Sequence, residues 1–261
     1  MRPSPSALFV VLAMATATGV GAFARSASGA ADPSAGLPGD IERYGFAPRG
    51  EASGVALLEA TKGIDLSLAN GAVHASTPSA EHLAHARAVV SRELARYPAA
   101  FLDAVRLRGL VLADDLVEGD KPIPSLPNVG GLMLLDVHAA DSDLVRTLHH
   151  EIYHFADLAD DGHLAPDPAW ESLNAQGFAY GAGGRSLRNW AARADDVPGF
   201  VSGYATSGPE EDKAETFAFV LARSSVVRDR AKTDPVLAAK VREIARRVDA
   251  LEPGTAARLG F

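Results

Sequence analysis

His149-His150-Glu151-Ile152-Tyr153-His154-Phe155-Ala156-Asp157 contains an HExxH pattern, and the rest of the chain is read from it. On a helix, residues four apart stack on one face, so His150 and His154 can offer two imidazole nitrogens to one metal ion. Glu151 is displaced around the helix, where it can act on a water without occupying a coordination position. Two ligands and a general base are the elements of a zinc hydrolase. With 8 His and 13 Glu in 261 residues, the three fixed positions match by chance in roughly one such chain in a hundred, so context has to support the pattern. It does. Leu144, Val145, Leu148, Ile152 and Phe155 recur at helical spacing as a core-facing stripe, with Thr147, His150 and His154 on the other side. Asp141 or Ser142 is the expected N-cap, and Asp143 suits the first turn. Asp157, three residues past His154, falls near the metal face, where it can orient a ligand histidine. The competing explanation is a solvated helix with incidental histidines.

A catalytic zinc takes three protein ligands and keeps one position open. Position 160 is Asp, so the third histidine of HExxHxxGxxH is missing. The candidates lie downstream, in Gly208-Pro209-Glu210-Glu211-Asp212-Lys213-Ala214-Glu215. Pro209 followed by three acidic residues starts a helix, and Ala214, Phe217, Ala218 and Leu221 mark its buried side. Glu211 and Glu215 lie one turn apart, flanking that side, and half-buried carboxylates need a positive partner. A zinc ion on Glu211, with Glu215 hydrogen-bonded behind a ligand histidine, satisfies both; the reverse assignment is the alternative. Glu210 and Asp212 are accounted for by the helix dipole.

Composition sets the frame. The chain is 47% hydrophobic and 22% charged, and its net charge of -8 argues against a nucleic-acid partner. Arg2 followed by the apolar run Ala7 to Phe23, with Ser28 and Ala30 before a cut at Ala31, reads as a signal peptide over residues 1–30. An uncleaved anchor is the rival. The expected product is exported, periplasmic or extracellular, with no stable membrane insertion after cleavage. It contains no cysteine and therefore no disulfide. Residues 31–54 read as a linker or disordered arm, and 55–261 as a single domain.

Within that domain Val55 to Leu68 is open between helix and strand, and Ser79 to Arg96 is a helix followed by a short one from Ala99 to Val105. His82 and His85 on the first helix are read as solvated, having no carboxylate or third histidine at ligand spacing. Leu107 to Ala113 and Gly131 to Val137 are strand candidates, joined by a rigid connection carrying Pro122, Pro124 and Pro127. A strand edge beside the active-site helix can hold a peptide by strand addition. Trp170 to Gly184 reads as a loop over the cleft. Asp234-Pro235 starts a last helix to Leu251 with its Lys and Arg exposed.

HExxHxxD, then Tyr204, Glu211 and Glu215, resembles the anthrax lethal factor-like clan of HExxH gluzincins, which includes the Pro-Pro endopeptidases and Mlc titration factor peptidases. Trp170-Glu171-Ser172-Leu173-Asn174, Phe178-Ala179-Tyr180-Gly181 and Glu211-Asp212-Lys213-Ala214-Glu215 are similar to phrases of bacterial zinc-binding metallopeptidases. The resemblance covers roughly residues 100 to 225. It implies an α+β, zincin-like domain: an active-site helix beside a small sheet, with helical N- and C-terminal parts. It further implies Zn2+ on His150, His154 and Glu211, Glu151 as base, Tyr204 near the substrate carbonyl and Glu215 behind a ligand, acting on a peptide or protein substrate. Tyr153 departs from the Gly or Ala usual at its position, which makes a narrowed cleft and a non-catalytic zinc- or peptide-binding protein the alternative.

Overall fold

The computed structural model describes residues 41–68, 71–162, 164–181, 183 and 197–261. The signal segment, residues 31–40 of the arm and Gly184 lie outside them. A 3-10 turn at Ile41–Tyr44 leads into β1 (Phe46–Ala52), β2 (Val55–Ala60), β3 (Ile64–Leu68) and β4 (Gly71–Ser76). The described N-terminal part is therefore stranded before it is helical, and β1 lies within the stretch read as an arm. Its Pro48 and Gly50 obscure it in the sequence. Among the described residues β1 pairs with β2 alone, and an outer strand tolerates a proline and the register shift between Pro48 and Gly50.

Helix α1 (Ala80–Leu94) starts where expected, with the Ser79 hydroxyl accepting from the His82 amide, and α2 (Ala99–Ala104) follows. Then come β5 (Gly109–Glu118), β6 (Lys121–Pro122), β7 (Ser125–Val129) and β8 (Leu132–Asp136). β5 is central. Its first half runs parallel to both β2 and β8; from Asp114 onward, across an irregularity at Asp115 with φ +51°, its second half pairs antiparallel with β4. The chain alternates strictly there. Leu110 and Leu112 enter a core shared with the helices, while Val111 and Ala113 enter a second core with Phe46, Leu58 and Val73. Both faces of the strand are thus buried, which explains its near-continuous apolar run.

The helical layer holds α3 (Asp141–Asp161), α4 (Pro168–Glu171), a 3-10 turn at Tyr204–Ser207, α5 (Pro209–Ala222), α6 (Ser224–Ala231), α7 (Pro235–Leu251) and α8 (Thr255–Leu259). The α+β class expected from the sequence describes this mixed arrangement of a curled sheet and helices. Among the described residues no helix is long and apolar enough to cross a membrane.

Candidate metal centre and cleft

Helix α3 is more deeply set than its amphipathic pattern suggests. It packs against α1, α5, α7, β7 and β8, so His149, His150, Glu151 and Tyr153 are all buried along with the apolar stripe. Its N-cap is Ala140, without a side-chain cap, rather than Asp141 or Ser142. Gly162 closes the other end at φ +84°, a left-handed geometry that glycine adopts without strain.

Three ligand-type atoms converge in front of α3. His150 Nε2 lies 3.0 Å from His154 Nε2 and 3.0 Å from Glu211 Oε2; His154 Nε2 lies 3.6 Å from the same oxygen. Donors about 2.0–2.1 Å from a tetrahedral zinc stand about 3.3 Å apart, so this triangle has the right size. Glu211 Oε2 is buried close to both rings, yet accepts no hydrogen bond of ordinary geometry among the described residues. A buried acceptor left over between two imidazoles is the expected imprint of a cation, and the donor set fits zinc.

The groups behind the triangle are ordered. Glu215 Oε1 lies 3.0 Å from His150 Nδ1, and Glu215 Oε2 accepts from the Ser202 hydroxyl at 2.6 Å. Donation from Nδ1 to Glu215 sets the tautomer in which Nε2 of His150 carries the lone pair that can ligate. Burial alone would lower the His150 pKa, but the Glu211 and Glu215 carboxylates outweigh it and lift it to about 10. Burial likewise works against ionisation of Glu211 and Glu215, and the neighbouring rings overcome it and hold both below the usual range. Without a cation, the carboxylates and imidazoles of the site favour a shared proton.

Glu151 stands beside the triangle. Its Oε1 accepts from the Ser125 hydroxyl at 2.5 Å, and its Oε2 is buried with no hydrogen-bond partner among the described residues. Ser125 sits on β7, which among the described residues pairs with β8 alone and so presents its other edge beside α3. A cleft of about 310 Å³ runs between them, lined by Pro122 to Pro127 on one wall and His150, Glu151, His154, Tyr204 and Glu211 on the other. Tyr204 is buried at the far side, its ring 6.1 Å from that of His150, and burial pushes its hydroxyl well above the ordinary tyrosine range.

Five expectations are corrected. Asp157 does not reach a histidine; its Oδ1 pairs with the buried Lys213 at 2.7 Å, and Lys213 also holds Asp167 at 3.0 Å. Asp212 is more than a helix-dipole partner, since it accepts from Trp170 Nε1 at 2.9 Å and Tyr180 OH at 2.6 Å and pairs with Lys240 at 2.7 Å. Trp170 and Tyr180 are thereby anchored to α5 rather than laid over the cleft, and Lys240 and Arg247 of α7 turn inward instead of facing solvent. Tyr153 leaves the cleft free: it packs in the core with its ring 5.2 Å from Phe217.

Sequence reasoning missed two supports. His149 binds Tyr97 OH at 2.6 Å and Glu93 at 3.2 Å, tying α3 to α1. Ser125 was hidden inside a proline-rich connection.

No protein-family model and no curated protein matches this sequence. A solved structure of a "putative zinc-binding metallo-peptidase" from Bacteroides caccae aligns at 18% identity and a TM-score of 0.45, over 68% of this chain and 74% of that one. The chemistry of the site rests on its own side chains.

Proposed function

We propose that this chain is an exported zinc-dependent metallopeptidase of the HExxH gluzincin kind, hydrolysing peptide bonds in the cleft between β7 and α3. The observation that carries the reading is the convergence of His150 Nε2, His154 Nε2 and Glu211 Oε2 beside a carboxylate with one oxygen uncommitted. When bound, zinc supplies Lewis acidity, polarising a carbonyl and lowering the pKa of water from about 15.7 to about 7. Glu151 takes the proton of the attacking water on Oε2, while Ser125 fixes its other oxygen, and then delivers that proton to the departing amine. Tyr204, kept protonated by burial, donates a hydrogen bond to the oxygen on which negative charge develops. The β7 edge supplies backbone groups to align an extended peptide, and Pro124 and Pro127 shape its wall. The apolar run Ala7 to Phe23 supports export.

Glu151→Gln tests this. The variant should keep the zinc content of the wild type and lose about 10²–10⁴-fold in hydrolysis of an unfolded protein substrate. Undiminished turnover by Glu151→Gln refutes the catalytic assignment, and zinc binding without wild-type turnover leaves a peptide-binding protein.

A further inference from the structure

Outside the cleft, α1, β5 and the connection after β8 bring a second set of ligands together. His82 lies in the first turn of α1, Asp114 is in β5 just before its bend, and His138 follows β8. His82 Nδ1 is 3.1 Å from Asp114 Oδ2, and His138 Nδ1 is 3.5 Å from Asp114 Oδ1. The two rings meet edge to face at 5.2 Å, and one donor atom from each of the three residues lies within 4.8 Å of the others. The company that the sequence denied to His82 is supplied from positions 114 and 138.

We propose that His82, Asp114 and His138 form a second site for a divalent transition-metal ion, separate from the centre on α3. Each ring nitrogen lies near the roughly 3.3 Å expected between donors of a tetrahedral ion, measured to one or the other oxygen of Asp114. Two imidazoles and one carboxylate select zinc, nickel or copper over calcium or magnesium, which take mainly oxygen ligands. The ligands are held in place. Asp136 accepts the His138 amide at 2.8 Å and the Leu116 amide at 3.0 Å, fixing the connection against the β5 bend. Asp114 is mostly buried while both rings reach solvent, so the site is open to a free ion and to coordinated water. Occupancy would clamp the segment leading into α3 onto α1 and β5. Its role is that of a staple, because none of the three residues lines the cleft.

Zinc equivalents retained at micromolar free zinc, with the full chain, decide the matter. Wild type should hold two, His82→Ala/His138→Ala one, and His150→Ala/His154→Ala one. The rings removed at the second site are solvent-accessible, so the first double variant should keep the wild-type far-ultraviolet spectrum. His138→Gln alone should weaken only the second equivalent, and excess magnesium should not displace it. If His82→Ala/His138→Ala retains as many equivalents as the wild type, or His138→Gln leaves both affinities unchanged, the second site does not exist. Loss of zinc from the His150/His154 variant together with retention by the His82/His138 variant would refute it equally, leaving the α3 centre intact.

Discussion

The two ligand clusters have the same kinds of side chain and opposite surroundings. Around His150, His154 and Glu211 every donor is largely buried and Glu215 and Ser202 stand behind one ring. Around His82, Asp114 and His138 the rings are open to water, and among the described residues the outer support from Asp136 reaches backbone amides. Depth makes a site costly to leave unfilled, since buried carboxylates and imidazoles without a cation must share protons. Exposure makes a site optional. The first arrangement suits chemistry on a sequestered water, the second a clamp that comes and goes with metal supply.

Removing one ring from each cluster breaks the comparison most directly. His154→Ala should lose both the zinc of the α3 centre and all detectable hydrolysis, and fail to regain activity at micromolar added zinc; zinc content and turnover measured together check it. Outer support comes next. Glu215→Gln should weaken zinc at α3 by about 10–100-fold, whereas a matched Asp136→Asn change at the other cluster should cost less than about tenfold. Equal losses at the two would dissolve the distinction.

Acid is the mildest probe. The Glu93 carboxyl is held down to about 2 by its hydrogen bond to His149 and by Arg96, against the opposing effect of burial. Burial would raise Asp167, but the Trp170 amide, Arg247 and Lys213 outweigh it and bring it to about 2. Both folded pKa values are below their unfolded ones, so this stabilisation is present above about pH 4.5 and drains as pH falls toward 2. Tm of metal-free protein should therefore drop across that interval, and Glu93→Gln should flatten the drop while His82→Ala leaves it unchanged.

What the sequence disclosed follows from distance along the chain. His150, Glu151 and His154 lie within one turn and a fraction of helix, and Glu211 and Glu215 repeat the four-residue spacing, so local periodicity picked out each group as a candidate while the choice between the two glutamates stayed open. β1 and β7 escaped because each carries a proline, which argues against a central strand but is permitted on an outer one, and pairing partners are invisible to local patterns. The inward turn of Lys240 and Arg247 was equally hidden. Their acidic partners, Asp212 and Asp167, are on other elements, and a basic residue on a late helix ordinarily faces solvent. His82 and His138 are 56 positions apart and meet only because β5 runs between them.

The opening turn of α5 sends three consecutive side chains to three places: Glu211 to the two imidazoles, Asp212 to Lys240 and Trp170, Lys213 to Asp157 and Asp167. Fraying of that turn to release Glu211 would strand two buried ion pairs, at a cost of about 3–5 kcal/mol each when one partner is lost. Exchange of a captured ion must then proceed through the mouth of the cleft, ligand by ligand, with the helix standing still. The centre should consequently trade its metal slowly, over a timescale set by the rings and not by the fold.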